Sequence, residues 1–336
     1  MLTTLAAPAA ADVVVFEVYG GSRPADATTL LAPVLEELRA LGYAADPTAL
    51  ETRIEAGVSR TGDVLASAAF VEAIELVSRG YESWINGDFQ TAVRDLTAGL
   101  AMFREKPATI AMRPKHRDSV FKALVGLSLA HARLGHSEEA TTAMAELLRS
   151  FPDMEISRTE YGPEPREMYR KVKAELDERG RGTLRIVPDD DTVLVFVNER
   201  YAGTGEQAIE DLYPGRYRVF TRRGKTPGRV HSVEIAPGSE HTVSVAWGRD
   251  SCLRSQSDYL GFELENEAAR NANEAEYATT LASAMNASGV VTLGIRDYRG
   301  RRSIVGTVYN LDTGKPVRSG STAERPALRH FPGALS

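Results

Sequence analysis

Residues Asp12 to Tyr19 read DVVVFEVY and stop at Gly20-Gly21. A run this rich in β-branched and aromatic side chains, ended by two glycines, predicts a β-strand. The next stretch predicts helix: Leu30, Leu31, Val34, Leu35, Leu38 and Leu41 recur at helical spacing, and Gly42 closes the run. Asp46-Pro47 then offers an N-cap and first-turn pair for a second helix ending near Gly57. A lone strand among helices leaves backbone N–H and C=O groups without partners, so it must pair with a distant segment or another molecule. The carboxy-terminal part offers one. An Ala/Glu-rich helix around Glu267 to Met285 precedes strands expected at Val290 to Tyr298 and Ser303 to Leu311. One discontinuous α/β domain built from both ends is therefore expected. The alternative is a self-contained carboxy-terminal part that uses Tyr259 to Leu264 as its extra strand.

Between the ends the texture changes twice. From about Asp63 to Gly180 nearly every segment has helical period, with breaks at Gly87, Lys106 to Pro114, Gly135 and Phe151 to Pro165. After Gly180, short alternating segments with Gly and Pro turns run to Trp247, and a polar connector, Gly248 to Asp258, comes next. The fold class expected is multidomain α+β. Its divisions are 1–11, a signal-peptide remnant; 12–60, a strand–helix segment; 61–180, helical; 181–247, antiparallel β; 248–321, α+β and pairing with 12–60; and 322–336, a loose tail. The length of 336 residues, at roughly 150 per domain, fits two or three cores.

Composition excludes several classes. A net charge of −6 argues against a general nucleic-acid binder. A single cysteine, Cys252, leaves neither an intramolecular disulfide nor a cysteine-rich metal site. Gly203-Thr204-Gly205-Glu206-Gln207-Ala208 fits a dinucleotide fingerprint in letters only, because too few residues precede Pro214-Gly215 for the crossover helix it requires. Gly224-Lys225-Thr226 lacks the upstream glycine of a P-loop, and Asp189-Asp190-Asp191 lacks the alternation of a calcium loop. The histidines show no ligand spacing; His131 and His136, five apart, do not share a helix face. No catalytic, cofactor or metal site is expected, and the chain reads as non-enzymatic.

Two stretches of the helical part share a frame: Gly80, Gly87-Asp88-Phe89, Ala92 and Leu96, then Ser128, Gly135, Ala140, Met144 and Pro152. On those residues the segment resembles tetratricopeptide repeats. The copies lie 48 residues apart where the family has about 34, and the surplus falls in Lys106 to Lys115, read as an inserted loop. Ser83 and His131 occupy the family's tyrosine slot, and Arg104 stands where proline is common; a generic antiparallel bundle is the alternative. Flanking helices, Val64 to Val77 and Arg166 to Leu176, are expected to cap the pair. The resemblance implies protein–protein docking, for which Tyr81, Trp84 and Phe89 are candidates; the competing reading puts these aromatics in the core.

Gly182 to Pro188, Val193 to Val197, the turn Asn198 to Gly205, and Leu212-Tyr213-Pro214-Gly215-Arg216-Tyr217-Arg218-Val219 succeed one another, with Val230 to Ile235 and His241 to Trp247 completing five strands. In order and spacing this is similar to the PEGA family, although Pro188 to Asp191 reads PDDD where the family's tetrapeptide falls. That resemblance implies a non-enzymatic anchor or spacer of bacterial surface or exported proteins. The strand–helix start (12–45) and VVTLGIRDYRGRRSIVGTVYNLDTGKPV resemble, in pattern, the two halves of a TolB-type amino-terminal domain.

Arg216, Arg218, Arg222, Arg223, Lys225 and Arg229 fall between Leu212 and Val233 with no acidic residue among them. On alternating strand positions several share one face, and Arg222, Arg223 and Lys225 become candidates for contact with anionic lipid or a cell-wall polymer; an ordinary solvated face is the plainer reading. Leu2 to Ala11, LTTLAAPAAA, resembles the apolar and cleavage regions of an export signal without its basic start. The function expected is an envelope scaffold, periplasmic if a start codon lies further upstream and cytoplasmic otherwise. An intracellular adaptor or regulatory subunit of a signalling complex is the alternative.

Overall fold

The computed structural model describes residues 12–323, so the reading of 1–11 and most of the expected loose tail lie outside it. In chain order the elements begin with β1 (Val13–Gly20), α1 (Ala27–Ala40), α2 (Pro47–Gly57), α3 (Ser67–Ile85), α4 (Phe89–Glu105) and α5 (Ala108–Ala111). Next come α6 (Arg117–Arg133), α7 (Ser137–Ser150), α8 (Arg158–Tyr161) and α9 (Pro163–Arg179). Then come the strands β2 (Gly182–Pro188), β3 (Leu194–Val197), β4 (Arg200–Thr204), β5 (Gln207–Leu212), β6 (Gly215–Arg223), β7 (Thr226–Ile235) and β8 (Glu240–Val245). The chain ends through α10 (Trp247–Asp250), β9 (Leu253–Gln256), β10 (Tyr259–Leu264), α11 (Glu267–Ala284), β11 (Gly289–Tyr298), β12 (Arg301–Tyr309) and β13 (Pro316–Ala323). The fold is mixed α+β.

The described chain forms two compact units, one from the residues up to Ser59 with those from Cys252 onward, the other from Arg60–Ser251. In the first, a six-stranded sheet runs β13-β12-β11-β1-β10-β9. Strand β1 pairs in parallel with β11 on one side and β10 on the other, Val15 opposite Val291 and Val18 opposite Phe262. Every residue from Val13 to Tyr19 is buried, as a central parallel strand covered on both faces requires. Its alternation sorts the two layers. Val14, Phe16 and Val18 pack with Leu50 and Ile54 of α2 and Leu281 of α11, and the Phe16 and Phe262 rings meet edge-to-face at 5.9 Å. Val13, Val15 and Tyr19 face Leu31, Val34 and Leu38 of α1.

Two expectations for the carboxy-terminal part need correction. The connector Gly248 to Asp258 holds the last residues of α10 and all of β9, and its Cys252 is buried in the apolar core. Strand β13 extends through Thr322 and Ala323, the start of the supposed tail, and pairs with β12. Its residues escape an apolar-alternation reading because an edge strand needs no second apolar face.

In the second unit α3 and α4 form one antiparallel hairpin, α6 and α7 another, turned at Gly87 and Gly135 with φ of 80° and 79°. Gly80 sits where a Cβ would stand 2.8 Å from the Leu96 side chain and 2.9 Å from its backbone nitrogen, so the close crossing admits only glycine. The supposed loop Lys106 to Lys115 contains the buried helix α5 and the start of a 3-10 turn, Pro114–His116. A separate capping helix was expected at Val64 to Val77; residues 67–85 are instead one continuous helix, the first arm of the hairpin itself. The β part is not five antiparallel strands. Seven strands form two sheets, β5-β2-β8 and β4-β3-β6-β7, and β2 pairs with β8 in parallel. The expected turn Asn198 to Gly205 is strand β4 after a two-residue turn at Asn198 and Glu199, both at positive φ. Strands β4 and β5 carry mostly exposed or half-exposed side chains, so no apolar alternation announces them.

Ala140, fully buried in α7, should tolerate no bulk: Ala140→Phe is expected to cost about 1–3 kcal/mol by overpacking, read as a drop in urea midpoint. Removing residues 1–24 takes β1 from the middle of its sheet and should abolish amide-exchange protection of Val290 to Leu293, the residues it pairs with. Retained protection there would contradict the pairing.

Candidate functional site

A cavity of about 580 Å³ in the second unit opens where the helices meet the β sheets. Arg104 of α4, Thr142, Glu146 and Arg149 of α7, and Arg179 of α9 form one wall. Asn198, Gly215, Arg216, Arg218, Ser232 and Glu234 form the other, and Arg60 closes an end. Six arginines against two glutamates leave an excess of four positive charges in the lining.

The arginines are not equivalent. Arg218 is held on the β side by both oxygens of Glu199 (2.7 and 3.1 Å) and lies 3.7 Å from Glu146. Arg104 grips Glu146 through Nε and Nη2 at 3.1 and 2.6 Å. Burial would raise the Glu146 carboxyl, but Arg104, Arg218 and Arg149 outweigh it and hold the group below the usual carboxylate range. Arg117, stacked 4.7 Å over Phe151, ties the two parts together by donating to the carbonyls of Ser150 and Asn198. These contacts are structural: they satisfy charge at a seam.

Arg149 differs. Its Nε has no hydrogen-bond partner among the described residues, its Nη1 lies 3.5 Å from the Pro214 carbonyl, and burial pushes its guanidinium below the ordinary arginine value. It lies flat on Gly215, where a Cβ would stand 2.9 Å from Nη1 and where φ is +131°. The glycine of the Pro214-Gly215 turn thus leaves room for a guanidinium as well as setting the turn.

The residues singled out from sequence are dispersed. Tyr81 and Trp84, rings 5.3 Å apart, and Phe89 are half-buried against the helical core. The expected basic face is broken up. Arg223 pairs with Asp190, Arg222 lies half-buried with its guanidinium 5.8 Å from the Phe196 ring, Arg229 is buried, and Lys225 is exposed in the β6–β7 turn. A register irregularity between Phe220 and Arg222 breaks the alternation that would have aligned them. His131 and His136, expected apart, are brought together by the α6–α7 turn, their Nδ1 atoms 3.3 Å from each other. Nothing in the sequence marks Arg60, Arg104, Arg149 and Arg179 as one site, because they come from four separate segments with no shared local pattern.

A second feature is the outer side of α3. Val71, Glu75, Ser78, Glu82 and Ile85, alternately four and three residues apart, are all exposed, Val71 by 51% and Ile85 by 63%. They trace the solvent-facing side of the helix, with an exposed apolar residue near each end. In the first unit two charged clusters are satisfied internally. Glu17 is held by Arg23 and Tyr19, and Glu274 by Arg270 and Thr292. No protein-family model matches the chain, and no curated protein matches it.

The lowered Glu146 group sets a pH dependence. Its contribution to stability is complete above the unfolded carboxylate value, about pH 4.3, and fades as pH falls through the lower folded value. Glu146→Gln should lower stability near neutral pH and make the loss on acidification shallower, read from urea midpoints at stepped pH. Parallel profiles for the two proteins would refute the assignment.

Proposed function

We propose that the protein is a non-enzymatic scaffold that docks a protein partner on its helical hairpins, with the β part (182–245) as spacer or anchor. The observation that carries this reading is the outer side of α3, where Val71 and Ile85 are exposed among acidic residues. The apolar side of α3, with Ala73, Val77 and Gly80, is buried in the hairpins, and Val71 and Ile85 stand exposed away from it. The partner fitting the outer side is an amphipathic helix with basic flanks, because Glu72, Glu75 and Glu82 border Val71 and Ile85. The resemblance of 61–180 to tetratricopeptide repeats supports protein docking, and that of 181–247 to the PEGA family supports a place in the bacterial envelope. The cavity chemistry agrees with holding rather than transforming a ligand, since guanidiniums stay protonated and neither give nor take protons near neutral pH. No described helix is long and apolar enough to cross a membrane.

A photo-crosslinking residue at Ser78 in the native cell should trap a defined partner. Combining it with Val71→Asp and Ile85→Asp should abolish the adduct while moving stability by no more than about 0.5 kcal/mol, since both sites are exposed. Unchanged adducts in the double variant would remove α3 as the docking face.

A further inference from the structure

We propose that the arginine-lined cavity of the second unit is a binding site for a small polyanion bearing at least two phosphate groups. The inference goes beyond the scaffold reading and stands on other residues. Three guanidiniums at the cavity, those of Arg60, Arg149 and Arg179, have no carboxylate partner among the described residues, whereas Arg104 and Arg218 are neutralised by Glu146 and Glu199. A guanidinium nitrogen buried without a hydrogen-bond partner is costly unless something negative completes it. Arg149 is in that state, and Gly215 beneath it keeps its position from being filled by a side chain.

Size and charge narrow the class. A space of about 580 Å³ lies within the range of small-molecule pockets, roughly 300–1,000 Å³. The walls from α7 and β6–β7 make it concave, which suits an enclosed ligand better than a flat polymer face. With Glu146, Glu199 and Glu234 answering three of the six arginines, an excess of three positive charges exceeds what one carboxylate answers, while each phosphate monoester brings up to two charges and three acceptor oxygens. A neighbouring space of about 210 Å³ shares Thr142, Arg149 and Arg179 and adds the apolar side chains of Ala145, Val172 and Leu176, together with the carboxylate of Glu175. It would take the organic body of the ligand beside its phosphates.

The test is calorimetric titration of the full chain with inorganic pyrophosphate at neutral pH and low salt. Saturable one-site binding is expected, weakened tenfold or more in Arg149→Ala and in Arg179→Ala and unchanged in Lys171→Ala, a charge control on the exposed side of α9. Arg179 is exposed at a helix end, so that variant keeps the test valid if Arg149→Ala fails to fold. Co-sedimentation with vesicles containing cardiolipin, whose headgroup carries two phosphates, that pyrophosphate displaces would assign the phosphates to a lipid headgroup. No co-sedimentation would assign them to a soluble ester, and both outcomes keep the site. No heat with pyrophosphate, equal affinity for citrate, or equal affinity of both arginine variants and wild type would each overturn the proposal.

Discussion

The backbone of Val13–Gly20 has to be hydrogen-bonded on both edges, and apart from Ala44, which bonds Val13 and Val15, its strand partners come from the far end of the chain. The first unit is organised around that demand. Placed between β10 and β11, the strand is buried on both faces, so its odd and even side chains each need a helical layer. Helix α1 supplies one and α2 with α11 the other. Because β10 and β11 run parallel to the same neighbour, their connection must cross the sheet, and α11 is that crossover. The buried Glu17 inside β1 is tolerated because Arg23 and the Tyr19 hydroxyl satisfy it. Losing one partner of such a buried pair costs about 3–5 kcal/mol, most of it the stranded charge.

The second unit depends on small residues and on arginine. Gly80, Ala92 and Ala140 let helix backbones approach, which is why the hairpins pack with fully buried crossings. Arginine joins helices to β sheets: one planar group can stack on an aromatic ring and donate to two carbonyls at once, as Arg117 does. The same chemistry explains why the seam carries charge rather than oil. Where Glu146 and Glu199 are present the guanidiniums are neutralised locally; at Arg149 they are not, and the excess remains available to solvent or ligand. The net charge of −6 gives no hint of it, because the cavity collects cations from segments separated by more than a hundred residues in an acidic chain.

The amino-acid sequence by itself determined the local features. The strand at 13–20, the helices with their breaks at Gly87 and Gly135, and the Asp46 cap, whose carboxylate accepts from the Ala49 N–H, were legible from periodicity and capping chemistry. These features are dictated by residues a few positions apart. The unpaired edges of β1 demanded a distant partner, but tertiary structure decided that it lies in parallel between β10 and β11, and that β2 pairs in parallel with β8. It decided the edge strands β4, β5 and β13, whose solvent-facing side chains need not alternate. It also decided the cavity: the run from Arg216 to Arg229 looked like one basic face, but a register irregularity and counter-ions such as Asp190 disperse it, while Arg149 gains its role from a glycine 66 residues away. Charge in a folded protein is set by which groups are brought within a few ångströms and out of water, and that distance is a property of the fold.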